Sequence, residues 1–307
     1  MKTLAMKTLA QSKIVIVGLG LIGGSLARAL SRAGCGGQIT AVDRDEAQLQ
    51  QALREGSIAA YALDARSACA DADLVVLALP VLSIEAALGE IKPALSEHAI
   101  VTDVASVKRE VAAAAARVFG KVPPRFVPGH PIAGSERSGY GAALAELFVG
   151  RKCILTPFAH TDADALAQVR ELWTLCGAEV VDMAVEHHDA VLAATSHLPH
   201  LLAFALVDTL SQQGTSAEIF RYAAGGFRDF TRIASSDPTM WRDIFLSNGA
   251  ATVAVLDRFL DDLKAVRQAL LTQDADALFA LCQRARESRG QFLEFMQAAA
   301  AKQVSQA

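Results

Sequence analysis

The 307-residue chain lacks paired cysteines, a basic surplus and long uninterrupted apolar runs. Its five cysteines form no C-x-x-C pair and no metal-ligand spacing, which favours isolated thiols in a reducing compartment and predicts a cytoplasmic protein. The formal net charge of −4 gives no basic footprint for nucleic acid. In the most apolar stretch, residues 190–210, His197, Pro199, His200 and Asp208 interrupt the run. It therefore predicts a buried core helix, and we expect no membrane span.

The composition is that of an ordinary globular protein, with 52% hydrophobic and 20% charged residues. Strand and helix patterns alternate up to residue 183, which predicts a parallel, doubly wound, Rossmann-like α/β sheet. From residue 184 onward strand-like runs disappear and long helical patterns follow. We therefore predict an α/β domain at 1–183, which a glycine-rich turn after its first strand indicates to be a dinucleotide-binding domain, and an all-α domain at 184–307. Such a helical domain is often a dimer core, so we expect a homodimer.

The pattern also predicts individual elements. Seven apolar runs indicate strands, at 14–17, 38–42, 73–79, 99–104, 125–127, 152–156 and 179–182. In the second domain the long helical patterns cover 185–210, with a bend at Pro199, then 239–266 and 275–301.

A glycine-rich turn follows the first predicted strand. Gly18, Gly20 and Gly23 have the spacing G-x-G-x-x-G, followed by a helical pattern. The first glycine permits the tight turn, the second lets a pyrophosphate approach the backbone, and the third lets helix pack on strand. The helix N-terminus, with Leu21 and Ile22 in its first turn, would face the phosphates.

An acidic residue ends the second predicted strand. Asp43 comes about 20 residues after Gly23, the spacing expected of a carboxylate that accepts hydrogen bonds from ribose hydroxyls. It would repel a 2′-phosphate, which favours NAD, while Arg44 beside it leaves NADP possible. Pro80, at the end of the strand predicted at 73–79, is assigned to the same cofactor site.

Polar side chains follow the carboxyl ends of later strands, where ligands bind in open α/β sheets. Asp103 and Ser106 follow the apolar strand residues that end at Val101 and Thr102, and His130 follows the strand at 125–127. Pro131 forces His130 into an extended backbone, and Pro128 with Gly129 makes the turn before it. An imidazole held in this way is well placed for proton transfer, so His130 is the candidate catalytic base.

Two histidines lie three residues apart in the sequence SHLPH. His197 and His200 therefore share one helix face. A metal site with His187, His188 and Asp189 nearby is the alternative, but the spacing is not H-E-x-x-H and no cysteine supports it. We predict no metal and assign His197 and His200 to hydrogen bonding with a substrate.

Arginines lie among aromatic residues in the segment 225–245. Arginine suits a two-point grip on a carboxylate. Arg228 and Asp229 are expected to form a structural ion pair, and Arg232 is the better candidate for a partly enclosed anion site.

Taken together, GLGLIGGS, DVASVK, HPIAGSE, SHLPH and GGFRDFTRIASSDPTMWRDIF resemble the prephenate dehydrogenase family of tyrosine biosynthesis, which includes arogenate and cyclohexadienyl dehydrogenases. The resemblance runs in order from about residue 13 to 300, and the last three motifs are more specific than the glycine fingerprint. It implies an N-terminal Rossmann-like domain, a helical dimerisation domain and the oxidative decarboxylation of prephenate or arogenate with hydride transfer to NAD.

The resemblance also implies roles for individual residues. His130 takes the proton of the substrate hydroxyl or polarises that group, with Ser106 sharing the hydrogen bond. His197, His200 and Arg232 match the substrate-site histidines and the carboxylate-binding arginine of the family. Three further residues are carried over to the substrate site: Glu136 and Asp229 in a charge network with Arg232, and Trp241 near the site of the partner subunit.

Two alternatives remain open at this point. One is a β-hydroxyacid dehydrogenase, which should use a catalytic lysine on the first helix of the helical domain, yet the helix predicted at 185–210 contains no lysine. The other is a non-catalytic NAD-binding regulatory protein, which explains the glycine turn but not the combination of His130, the histidine pair and Arg232.

Overall fold

The computed structural model describes residues 8–214 and 216–304. Its contacts divide the chain into two compact units, Met1–Gly249 and Ala250–Ala307. The first unit contains both sheets and the helices around them, and the second contains two long helices. The domain boundary predicted at residues 183/184 lies inside the first unit and stays a prediction.

A parallel sheet of six strands in the described chain has the order β3-β2-β1-β4-β5-β6. This confirms the predicted Rossmann-like architecture. Its strands are β1 Ile14–Val17, β2 Ile39–Val42, β3 Ala60–Ala62, β4 Leu74–Leu77, β5 Ile100–Asp103 and β6 Phe126–Val127. The short strand β3 was not predicted, because it has only three residues and none of them is fully buried.

The central strands are apolar on both faces because helices cover both sides of the sheet. All four residues are buried in each of β1, β4 and β5. In the register, Val17 pairs with Leu77 and Leu77 with Asp103, so the carboxyl ends of these strands meet at one edge. This edge contains the glycine turn and the segment that leads to His130.

A second, three-stranded sheet has the order β7-β8-β9, with β7 at Gly129–Pro131, β8 at Lys152–Leu155 and β9 at Glu179–Asp182. β7 runs antiparallel to β8, with His130 opposite Ile154, and β8 is parallel to β9. His130 therefore lies within a strand of this sheet and not in a loop. The extended backbone predicted for it is confirmed.

Thirteen α-helices are found in the described residues. They are α1 Leu21–Leu30, α2 Glu46–Arg54, α3 Ala65–Ala68, α4 Ile84–Ile91, α5 Lys108–Phe119, α6 Ala163–Leu175, α7 Val185–Leu192, α8 Leu198–Ser211, α9 Ser216–Arg221, α10 Gly225–Thr231, α11 Pro238–Ser247, α12 Gly249–Leu271 and α13 Ala275–Val304. The helix α10 was not predicted, because two glycines open it.

The helix predicted at 185–210 is present, but its irregularity is not the expected bend at Pro199. A π-helical segment, Ala193–His197, separates α7 from α8. Pro199 lies in the first turn of α8, where its missing N–H costs little.

The expectation that this stretch is a buried core helix is wrong for most of its length. By length and composition alone, Val185–Ser211 could cross a membrane. Of its most apolar 18-residue segment, 28% is buried in the structure. One such stretch is weak evidence of a membrane span, since a helix that packs against another chain has a similar composition. Its buried residues include His188, Asp189 and His197, whose hydrogen bonds are described below.

The single helix predicted at 239–266 is also wrong. α11 ends at Ser247, Asn248 has non-helical dihedral angles, and α12 begins at Gly249. The side chain of Asn248 bonds to groups on the preceding helices, which accounts for the interruption.

Candidate active site

The glycine turn leaves room for a ligand at the N-terminus of α1. Gly18 has a φ of +97°, and a Cβ there would lie 2.3 Å from the carbonyl oxygen of Ala78. A Cβ at Gly23 would lie 2.0 Å from the carbonyl oxygen of Gly18, so both positions require glycine for packing. At Gly20, in contrast, a Cβ would meet nothing within 4 Å. Gly20 also precedes α1 without a side-chain cap.

Asp43 is held against this turn. Its Oδ2 accepts a hydrogen bond of 2.6 Å from the backbone N–H of Leu19, and its Oδ1 accepts one of 3.0 Å from Asp45. Arg44 beside it is exposed. An open glycine turn, a free helix N-terminus and a carboxylate at the end of β2 fit the phosphates and a ribose of a dinucleotide.

The remaining predicted cofactor residues lie at the same edge of the sheet. Leu21 and Ile22 form the first turn of α1 and are half-buried. Pro80 is exposed, three residues beyond the end of β4, and precedes a 3-10 helix at Val81–Ser83.

A buried ion pair fixes the backbone immediately before His130. Lys108 and Asp103 are fully buried, and the lysine Nζ contacts the carboxylate Oδ2. The same Nζ donates to the carbonyl oxygen of Gly129 at 2.5 Å, and the N–H of Gly129 donates to Asp103 Oδ1 at 3.2 Å. Burial lowers the pKa of Lys108, while Asp103 opposes that shift. Both backbone groups of Gly129 are therefore tied to charged side chains of the large sheet.

His130 is the first member of a buried chain of hydrogen-bonded side chains. Its Nδ1 lies 2.9 Å from Nε2 of His188, and Nδ1 of His188 lies 2.7 Å from Oδ1 of Asp189. His130 is 8% exposed, while His188 and Asp189 are 0% and 1% exposed. We call these three residues the His–His–Asp relay.

Asp189 also caps a helix. Its Oδ1 accepts from the N–H of Lys108 at 2.8 Å, and its Oδ2 accepts from the N–H of Arg109 at 2.9 Å. These are the first two residues of α5, which has no side-chain cap of its own at Val107. Burial raises the pKa of Asp189, but the bonds from His188 and these N–H groups lower it more, so the carboxyl stays below its usual value.

The relay determines the position of each proton. An ionised Asp189 only accepts, so a neutral His188 carries its proton on Nδ1 and accepts at Nε2. His130 must then donate from Nδ1, which leaves the lone pair on its Nε2. Burial lowers the pKa of His130 well below 6.5, and His188 and Lys108 lower it further. His130 is therefore a neutral imidazole whose Nε2 can accept a proton.

His197, His200 and Trp241 lie together beside the relay. His200 stacks on Trp241 with ring centroids 3.7 Å apart, and its Nδ1 bonds to the carbonyl oxygen of Ser196 at 2.9 Å. His197 meets the same indole edge-on at 6.1 Å, and its Nδ1 lies 3.0 Å from Asn248 Nδ2. Trp241 is 5% exposed within its own chain, and its position near the site of a partner subunit stays a prediction.

Arg232 is less enclosed than expected, since its side chain is 61% exposed. It forms an ion pair of 3.0 Å with Glu136, as the expected charge network requires. Asp229 does not join that pair in this structure: it lies 3.5 Å from Arg228, the structural ion pair expected from the sequence.

Ser106 is half-buried between β5 and α5. The partner of His130 Nδ1 is His188 and not this serine, so a role for Ser106 toward the substrate stays a prediction.

Sequence reasoning assigned no role to four buried residues that form hydrogen bonds within this site. These are Lys108, His188, Asp189 and Asn248. The pair His188 and Asp189 was weighed only as a metal site, but both ring nitrogens of His188 are engaged in hydrogen bonds. The sequence did contain a signal: two adjacent polar residues in an otherwise apolar helical pattern. Polar groups that become buried need hydrogen-bond partners.

The sheet order, the glycine turn and the acidic residue after β2 define a dinucleotide-binding protein of the Rossmann class. The neutral histidine at the same edge adds a proton acceptor. The chain matches the prephenate dehydrogenase nucleotide-binding domain over residues 26–182 and the prephenate dehydrogenase dimerization domain over residues 184–284. The chain belongs to the prephenate dehydrogenase family and is an oxidoreductase.

Individual relatives agree with this assignment. The chain is 40% identical to the cyclohexadienyl dehydrogenase of Zymomonas mobilis over 90% of its own length and 94% of that protein. It is 39% identical to the prephenate dehydrogenase of Bacillus subtilis, over 90% of this chain and 75% of that protein. The crystal structure of the Aquifex aeolicus prephenate dehydrogenase, with hydroxyphenyl propionate and NAD+, has a TM-score of 0.85 and 36% identity, covering 95% of this chain and 100% of that one. The β-hydroxyacid dehydrogenase and non-catalytic alternatives are therefore wrong.

Proposed function

We propose that the protein oxidatively decarboxylates prephenate, arogenate or both, with hydride transfer to NAD. The observation that carries this proposal is the His–His–Asp relay, which leaves a neutral Nε2 on His130 at the dinucleotide edge of the sheet. The substrate is a cyclohexadienol carboxylate. The Aquifex relative was solved with a hydroxyphenyl acid, which is the kind of phenol that this reaction forms.

His130 holds a proton during the reaction and then returns it. The hydroxyl proton passes to Nε2 of His130 as the C–H bond on the same carbon breaks and the hydride leaves. The ring carboxylate is then lost as CO₂, and its bonding electrons move through the ring to the carbonyl oxygen. That oxygen regains the proton as a phenol. Because burial lowers the pKa of His130, its protonated ring is a stronger acid than an ordinary imidazolium, which favours return of the proton.

The other relay members support this exchange. When His130 is protonated, its Nδ1–H remains bonded to His188, and His188 remains bonded to the carboxylate of Asp189. The negative charge of Asp189 thus partly offsets the positive charge on the imidazole. The site must also orient the substrate ring toward the cofactor. Formation of an aromatic product already makes the overall reaction thermodynamically favourable.

The cofactor site combines the glycine turn with Asp43. Gly18, Gly20 and Gly23, with Leu21, Ile22 and Pro80, would hold the dinucleotide, and Asp43 would accept from its ribose hydroxyls. NAD accepts the hydride when bound. The carboxylate disfavours a 2′-phosphate, while exposed Arg44 leaves NADP as the second candidate.

The substrate residues are assigned by chemistry. Arg232 would bind a substrate carboxylate, with Glu136 and Asp229 adjusting its charge, and Ser106 would share the hydroxyl with His130. His197 and His200 would contribute hydrogen bonds, and Trp241 supports both imidazoles. Prephenate and arogenate differ in a keto acid or amino acid at one position.

The helical part is proposed to form a homodimer. Residues 184–284 match a dimerization domain, and apolar side chains such as Leu206 are exposed in the single chain. We propose 1–183 as the dinucleotide-binding domain, 184–307 as the substrate and dimerisation domain, and the cytoplasm as the location. Sedimentation of the purified chain tests the dimer.

Turnover assays test the reaction. Purified protein is incubated with prephenate or arogenate and NAD or NADP, and the reduced cofactor is followed by absorbance while the phenolic product is identified. The expected result is cofactor reduction with stoichiometric release of CO₂. No reduction with either substrate and either cofactor would reject the proposal.

A matched pair of variants tests His130. His130→Asn should lower turnover by about 10²–10⁴-fold with little change in NAD affinity. His98→Asn alters an exposed histidine and should keep normal turnover. Normal turnover in His130→Asn would remove this residue from the reaction.

A further inference from the structure

His197 has one engaged and one unengaged ring nitrogen. The residue is 0% exposed, its Nδ1 lies 3.0 Å from Nδ2 of Asn248, and its Nε2 has no hydrogen-bond partner in residues 8–214 and 216–304. A buried polar atom without a partner is costly unless a ligand satisfies it. The side chain lies beside the relay, since it is among the groups that affect the pKa of His130.

The amide of Asn248 can be oriented without ambiguity. Its Nδ2 lies 2.8 Å from the backbone carbonyl oxygen of Asp189. A carbonyl oxygen only accepts hydrogen bonds, so the group of Asn248 that faces it must be the amide nitrogen and not the amide oxygen. The second hydrogen of that nitrogen points to Nδ1 of His197. Nδ1 therefore accepts, and the single proton of a neutral His197 must be on Nε2.

We propose that Asn248 is a positioning residue that holds His197 in the Nε2–H tautomer, so that His197 donates its one N–H to an oxygen of the substrate. This inference deepens the proposed function, because prephenate or arogenate supplies the acceptor oxygen. It also explains why α11 and α12 are separated at residue 248: the chain leaves the helix where the amide must reach back to two groups on the helices before it.

The charges around His197 favour the neutral form. Asp189 and His188 face it from α7 and His200 faces it from α8, while the neighbouring side of α11 provides the indole of Trp241. Burial lowers the pKa of His197 to about 4, and Asp189 opposes that shift. A positive His197 would oppose protonation of His130. A neutral N–H donor binds the substrate oxygen without that repulsion.

Nitrogen NMR of the histidine rings tests the tautomer directly. In protein labelled with ¹⁵N-histidine, the His197 signals are assigned by their loss in His197→Gln. The wild-type protein should show the proton on Nε2. Asn248→Leu removes the donor, so a mixture of tautomers is expected. Asn248→Asp keeps the shape but places an acceptor at Nδ1, so the proton should move to Nδ1 or the ring should become doubly protonated.

Ser247→Ala is the matched control. Ser247 is adjacent to Asn248, and its hydroxyl has no hydrogen-bond partner in the described part of the chain. This variant should leave both the tautomer and the kinetics unchanged. If Asn248→Leu does not fold, the isosteric Asn248→Asp alone decides the question. A wild-type Nδ1–H tautomer, or a tautomer that neither Asn248 variant alters, would overturn the proposal.

Kinetics then test whether the tautomer matters for the substrate. Asn248→Leu should raise the KM for prephenate or arogenate by about 10- to 100-fold, with the KM for NAD nearly unchanged. In a His197→Gln background the same change should add little, since Asn248 acts through His197. An equal effect in both backgrounds would show a merely structural role. The NMR experiment requires no turnover, so its outcome for the tautomer of His197 is independent of whether the proposed reaction occurs.

Discussion

Nε2 of His188 lies 2.9 Å from Nδ1 of His130, and the two imidazole planes are inclined at 62°. The contact joins α7 to β7 across 58 positions of the chain. Since His188 is itself oriented by Asp189, the contact fixes which nitrogen of His130 carries a proton. An isolated histidine at the same place would have no such preference.

Loss of the relay should reduce catalysis without loss of cofactor binding. His188→Leu leaves Nδ1 of His130 without its acceptor, so both tautomers and several ring orientations become accessible. We expect kcat to fall about 100-fold, with NAD affinity measured by calorimetry unchanged. The control is His187→Leu, which alters the exposed neighbouring residue. An unchanged kcat in His188→Leu would show that the relay does not orient the base.

Turnover should begin to rise at a lower pH than it would if the catalytic histidine had an ordinary pKa. Activity requires neutral His130, and the neutral fraction grows as the pH climbs through the pKa. Because burial depresses the pKa of His130 well below 6.5, kcat should be nearly flat above about pH 6.5 and should decline only on the acid side. Stopped-flow or steady-state assays across the pH range check it, and a midpoint at or above 6.5 contradicts it.

The folded state should lose stability in acid through the same histidines. Burial lowers the pKa values of four histidines, 130, 188, 197 and 200. The unfolded chain then binds more protons between each folded pKa and about 6.5, so stability rises with pH through that window and falls as the pH drops. For His197 the window runs from about 6.5 down to about 4.

Urea midpoints measured at successive pH values test this window. His197→Gln should remove part of the slope between about pH 6.5 and 4, whereas His98→Gln, at an exposed site, should not. A slope that is identical in His197→Gln and the parent protein would mean that His197 makes no contribution.

Breaking the buried ion pair should destabilise the fold. Lys108→Met leaves the carboxylate of Asp103 buried without its cation, which typically costs about 3–5 kcal/mol. Adding Asp103→Asn removes the uncompensated charge while keeping an acceptor for Gly129, and should recover much of the loss. Urea unfolding of the single and double variants measures both effects. If the double variant is no more stable than Lys108→Met, the unpaired charge is not the cause.

Removing Arg232 should weaken substrate binding more than it slows the chemical step. Arg232→Ala should raise the KM for prephenate about 10-fold or more, because a charge-assisted pair is lost, and leave kcat less affected. Arg228→Ala removes a comparably charged side chain, 82% exposed, and serves as the control. Steady-state kinetics separate the two, and an unaltered KM in Arg232→Ala would reject its role as a carboxylate anchor.

Local sequence signals accounted for five of the six strands of the large sheet and for the cofactor turn. The glycine spacing, the apolar runs of β1, β4 and β5 and the acid at residue 43 are all visible within short windows. The relay was not visible in this way. His130 meets His188 across 58 positions, and Asp189 meets the N–H of Lys108 across 81, so only the packing of α7 against β7 and α5 brings them together.

The end of α11 illustrates the same limit. Residues 239–266 have a continuous helical pattern, but Asn248 leaves it for partners 51 and 59 positions away. A local preference was outweighed by two buried hydrogen bonds. The exposure of Arg232 could likewise not be predicted from its neighbours in the sequence, since it depends on where the 3-10 helix that follows α10, Arg232–Ser235, lies in the fold.

Asp189 both orients His188 and caps α5, and this has a consequence for the engineering of this protein. The same carboxylate oxygen that receives the His188 N–H also receives the first N–H of α5. A substitution at position 189 should therefore lower both the thermal stability of the fold and the rate of turnover. Selection for heat tolerance should thus leave position 189 untouched and find its gains elsewhere.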